Sequence, residues 1–132
     1  MSVFDDDIDL TSDVLFDRGF KIKSTVNENV TSMTMIVCED YVRCRGMYIG
    51  TPKTFIKWHK FNPNKNIIVT INWHDKPTEN ISYKINTQFE LDALISTIKD
   101  KITDDVMISK NYYGISREEF IKALDYEYFR HK

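Results

Sequence analysis

Between Thr54 and His74, apolar and polar residues alternate along two runs separated by a short polar stretch, Asn62-Pro63-Asn64-Lys65. The first run reads Thr54-Phe55-Ile56-Lys57-Trp58-His59-Lys60-Phe61. The second reads Asn66-Ile67-Ile68-Val69-Thr70-Ile71-Asn72-Trp73-His74. A period of two sends successive side chains to opposite faces, so each run has one face fit for a core and one fit for water. Two such runs around a turn of this composition predict an antiparallel hairpin. A four-residue loop pairs Phe61 with Asn66, and so sets Trp58 against Val69, Ile56 against Ile71 and Thr54 against Trp73. In that register Ile56, Trp58, Val69, Ile71 and Trp73 share the core face. Phe55, Lys57, His59, Phe61, Ile68, Thr70, Asn72 and His74 share the other.

The preceding chain reads the same way. Val14 to Lys23 is expected as a first strand, bent at Asp17-Arg18-Gly19, with a turn at Asn27-Glu28-Asn29. Val30–Cys38 and Tyr41–Ile49 are expected to form a second hairpin closed at Glu39-Asp40, with Val37 facing Val42 and Met35 facing Cys44. Met33, Met35, Val37, Val42, Cys44 and Tyr48 then share a core-like face. Gly50-Thr51-Pro52 breaks the chain before the central hairpin. Beyond it, Ile81, Tyr83 and Ile85 alternate with polar residues as a last strand.

The period then changes to 3.6. Thr87-Gln88-Phe89-Glu90 is a capping box, in which the Thr87 hydroxyl accepts from the Glu90 amide. Leu91, Leu94, Ile95, Ile98 and Ile102 follow as one helical stripe, predicting a helix over about Gln88 to Lys101 that buries this stripe on the sheet. Val106 to Ile108 reads as a short extended segment. A second capping box, Ser116-Arg117-Glu118-Glu119, opens a helix to about Phe129, with Phe120, Ile121, Leu124 and Tyr128 as its apolar residues.

These elements make an α+β fold. The expectation is a single domain over residues 14–132, with a five- or six-stranded antiparallel sheet or roll followed by two C-terminal helices. The order resembles that of pleckstrin-homology-like rolls, in which a C-terminal helix plugs one end of a bent sheet. Residues 1–13, rich in aspartate, read as an acidic N-terminal tail. A length of 132 residues suffices for one sizeable core. No apolar run approaches a membrane span of roughly 20 residues. No basic-then-apolar leader opens the chain, so a cytoplasmic location is expected and no membrane association.

Charge is segregated. Residues 1–40 carry three basic and nine acidic side chains, a net −6. Residues 41–76 carry seven basic and one acidic, a net +6, and residues 77–132 carry eight and ten, a net −2. A basic middle implies an anionic partner or an internal acidic one. His59 and His74 share a face, but the expected register separates them by roughly 20 Å, so they cannot hold one ion. Cys38 and Cys44 fall on opposite faces and belong to no Cys-x-x-Cys pair, so neither a disulfide nor a zinc site is expected. Cys44 reads as a core residue and Cys38 as partly exposed. No nucleophile elbow, phosphate loop or His-Glu-x-x-His is present. The expectation is therefore no enzyme, no metal and no cofactor.

If the two hairpins are neighbours in one sheet, Tyr41, Arg43, Arg45, Phe55, Lys57, His59 and Phe61 share one surface. Cations among aromatics suit an acidic protein surface and also a nucleic-acid backbone with stacked bases. The leading expectation is a small binding or modulator protein, of the phage or bacterial accessory type, acting through a protein partner. The alternative is a nucleic-acid-binding module whose basic-aromatic face is masked by the acidic N-terminus.

Overall fold

The computed structural model describes residues 10–61, 66–110 and 114–130. Most of the acidic segment, residues 1–9, lies outside the described residues, as does the hairpin turn at 62–65. The chain runs α1 (Ser12–Asp17), β1 (Lys21–Val26), β2 (Asn29–Cys38), β3 (Tyr41–Cys44), β4 (Met47–Gly50), β5 (Lys53–His59), β6 (Asn66–Asn72), β7 (Glu79–Lys84), α2 (Gln88–Lys110) and α3 (Arg117–Arg130). An antiparallel sheet of five strands has the order β1-β2-β5-β6-β7, and β3-β4 form a separate two-stranded ribbon. This is the expected α+β order, with a short helix added at the front.

The central hairpin is present, in a different register. Trp58 lies opposite Ile67, Ile56 opposite Val69 and Thr54 opposite Ile71, two residues from the expected pairing. An even slip leaves every side chain on its own face, so the face assignment holds. Ile56, Val69 and Ile71 are buried, joined by Ile67, while Trp58 and Trp73 pack against the core from its rim.

Three expectations are corrected. Val14 is not the start of a strand. Thr11 caps α1, its hydroxyl accepting from the Val14 amide at 3.3 Å, and helix formation buries Leu15. Gly19, at φ 99°, then turns the chain toward β1. Tyr41–Ile49 is not one strand paired to β2. It folds on itself, with Tyr41 opposite Gly50 and Arg43 opposite Tyr48. Arg45 and Gly46 take positive φ, 52° and 76°, the backbone of a tight two-residue turn whose twist matches its strands. β2 pairs instead with β1 and β5. Finally, Val106 is helical, because α2 runs on to Lys110. Val106 continues the stripe of Leu91, Leu94, Ile98 and Ile102, all buried. The Thr103 hydroxyl bonds the Lys99 carbonyl within the helix, 2.7 Å, so its polar group is satisfied there.

The Ser116–Glu119 capping box forms in full, and at Thr87–Glu90 the return bond shifts one residue back, to Asn86. The Glu90 amide donates to Thr87 Oγ1 at 3.1 Å, and the Glu90 carboxylate accepts from the Asn86 amide. Ser116 and Glu119 exchange the corresponding pair of bonds. α2 lays its stripe on the sheet, and the buried Phe120 and Leu124 of α3 complete the core. α3 also supports the ribbon, whose Val42, Cys44 and Ile49 are buried.

Candidate binding surfaces

The residues expected to share one surface are divided between two. Tyr41, Arg43 and Arg45 belong to the ribbon. Phe55, Lys57 and His59 lie on the outward face of β5, and Phe61 stands exposed just past its end.

The outward face of the ribbon has defined geometry. The rings of Tyr41 and Tyr48 meet edge to face, 5.0 Å between centroids. The Arg43 guanidinium lies over the Tyr48 ring at 5.4 Å. Both rings are open to water, Tyr41 at 46% and Tyr48 at 64% exposure. Tyr48 was expected in the core. The turn at Arg45-Gly46 puts Tyr48 opposite Arg43 rather than in line with Val42 and Cys44, and so reverses its side. A two-residue turn read at Gly46 would have found it.

Arg45 is engaged within the fold. Its guanidinium donates to both carboxylate oxygens of Glu119, at 2.6 and 2.8 Å. The Glu119 carboxyl is held below the usual range, first by the Ser116 backbone N–H and then by Arg45. The pair fixes the ribbon turn to the first turn of α3. Beneath it, burial pushes the Cys44 thiol up, with Glu119 adding to the shift and Arg45 opposing it.

Cys38, expected to be partly exposed, is buried at 3%. Its thiol donates to Thr51 Oγ1 at 2.9 Å, and Thr51 donates on to the Glu39 carbonyl at 2.7 Å. A β-bulge between Ile36 and Cys38 turns it inward.

The outward face of the large sheet is set by register. Lys21, Thr34, Lys57, Ile68 and Ser82 form one cross-strand row, and Ile36, Phe55, Thr70 and Asn80 the next. Ile36, Phe55, Lys57 and Ile68 are half-buried, in contrast to the fully buried Met33, Met35, Ile56 and Val69 on the helix side. The Lys57 ammonium sits 5.1 Å from the centre of the Phe55 ring. Sequence reasoning did not single out Lys53 or Lys84 for this face, because the first strand of the central hairpin was read from Thr54 and β7 was not placed beside the hairpin.

At one end of the sheet an open cleft of about 400 Å³ is lined by Leu10, Thr11, Glu28, Trp58, His59 and Lys60 among others. Glu28 and His59 both reach it and make no hydrogen bond to each other among the described residues. No group of three metal-ligating side chains is gathered among the described residues, and no described helix is long and apolar enough to cross a membrane. No protein-family model, curated protein or solved structure matches the chain.

Proposed function

We propose that the protein is a non-enzymatic binding module that acts through a protein partner, held by the outward face of the ribbon. The observation that carries this reading is the exposed Tyr41–Tyr48 pair with Arg43 laid over it. Tyrosine and arginine are enriched at interface hot spots, where they give large contact area and directed polar groups. The ribbon is braced from behind by buried Val42, Cys44 and Ile49 and by the Arg45–Glu119 pair, so little ordering cost remains for binding. A cytoplasmic accessory or modulator role, of phage or bacterial type, fits a chain of this size.

The test is a quantitative pull-down from source-cell extract with wild type and with the Arg43→Ala/Tyr48→Ala variant, after a thermal melt shows both folded. A protein retained by wild type and lost from the variant is expected. The same proteins on both would overturn the reading.

A second reading, a nucleic-acid-binding module, is favoured by a different observation: among the described strand residues, the charged side chains on the outer face of the large sheet are all basic. In this reading the aspartates of the N-terminal segment mask the face. Replacing Asp5, Asp6, Asp7 and Asp9 by Asn should then tighten binding, and unchanged affinity would remove the mask.

A further inference from the structure

We infer that the outer face of the five-stranded sheet is a platform for single-stranded nucleic acid, with Phe55 as its stacking residue and the flanking lysines as its phosphate contacts. This rests on the second reading above and names its site and ligand form.

The charge distribution is one-sided. Lys21, Lys53, Lys57, Lys84 and His59 have outward register. The acidic residue in the five strands is Glu79, and it lies on the helix side, near Lys101. On that side Arg18, Lys99, Lys101 and Arg117 are matched with carboxylates of the helices and β7. Lys53, Lys57 and Lys84 enter no ion pair among the described residues. These three lysines meet no counter-charge among the described residues, and such a cluster attracts a polyanion.

The geometry selects the kind of polyanion. Phe55 is on the middle strand, half-buried between Ile36 and Thr70, with the Lys57 ammonium beside its ring. Outward residues along one strand are spaced by ~6.6 Å. A base stacked on Phe55 therefore has Lys57 one step away for its phosphate and His59 one step further. Sheet platforms with aromatic centres and cationic surrounds take unstacked bases. A duplex is read by an element entering its groove, and this face presents none. An acidic peptide adding as a strand would go to an edge, β1 or β7, through backbone bonds. Phe55 is two strands from either edge.

The test is fluorescence anisotropy of the full-length protein with a fluorescein-labelled oligo(dT), a duplex of equal length, and polyglutamate as competitor. The variants are Phe55→Ala, Lys53→Glu and Lys84→Glu, with Lys122→Glu on exposed α3 surface as the charge control. Lys53 and Lys84 are exposed, so their loss of binding does not report unfolding. Oligo(dT) should bind more tightly than duplex, and Phe55→Ala should weaken it by roughly tenfold. Each lysine lost should reduce the slope of log affinity against log salt by about 0.7. Lys122→Glu should leave affinity within twofold or so of wild type. No binding of either nucleic acid would overturn this inference together with the second reading. Binding left intact by the Phe55, Lys53 and Lys84 variants would overturn the inference alone. Equal or tighter binding of duplex, or displacement by polyglutamate at matched charge, would also overturn it.

Discussion

Arg45 and Glu119, separated by 74 positions in the chain, form an ion pair with two parallel hydrogen bonds. Arg45 occupies a left-handed turn position, φ 52°, that side chains other than glycine and asparagine seldom take. Its side chain is thereby aimed at the start of α3, where Glu119 already closes the capping box with Ser116. One carboxylate thus serves both the helix end and the ribbon.

This sharing makes the pair pH-dependent. The Glu119 carboxyl has a lowered pKa in the folded state, chiefly through the Ser116 backbone N–H. A depressed folded pKa contributes stability above the unfolded carboxylate pKa, and that contribution is lost as pH falls through the folded value. The melting temperature of wild type should exceed that of Glu119→Gln at neutral pH, with the gap closing in acid. Added salt should narrow it as well, because the pair is solvent-exposed. A gap that widens in acid would contradict the assignment.

Gly46 at φ 76° needs a residue without Cβ, although the space around it is open. Gly46→Ala should cost about 1–2 kcal/mol by denaturant unfolding, the penalty for an L-residue in this region. Gly46→Asn should cost less, since asparagine tolerates the conformation. Equal effects would mean that the ribbon turn is not the one described.

The two faces of β5 and β6 should respond differently to truncation. Ile56→Ala removes a side chain with 0% exposure and should destabilise by about 2–5 kcal/mol. Ile68→Ala, on the half-buried outer face, should cost about 1 kcal/mol. A reversed order in urea unfolding would require the opposite face to be the core.

Cys38 and Cys44 are both buried, and neither is in a disulfide. Thiolate is the reactive form, and burial raises the Cys44 pKa. Neither thiol should react with a disulfide reagent such as DTNB in the native state at neutral pH, and both should react in denaturant. Rapid labelling of native protein at Cys44 would contradict its place under the ribbon.

The sequence by itself determined the local grammar. The period of two fixed which side of β5, β6 and β7 is core, and the 3.6 stripe with its capping boxes fixed where α2 and α3 begin. These signals are local and survive any even slip in pairing, which is why the face of Ile56 was legible while its partner was not. Tertiary structure decided the rest. Whether β2 pairs with Tyr41–Cys44 or with β5 depends on which arrangement covers Met35 and Val37 with a helix, and no local pattern carries that. The short α1 is anchored by Leu15 in the core as well as by its Thr11 cap, and burial at that position is not legible in the local pattern. The binding surfaces followed from the same choices. Once the ribbon closed at Arg45-Gly46, Tyr48 moved outward, Arg45 met Glu119, and the aromatic and basic residues of the middle segment were parted between two faces. Contacts between distant positions are set by packing of the whole core, because the apolar pattern states only that a face must be buried and not against what.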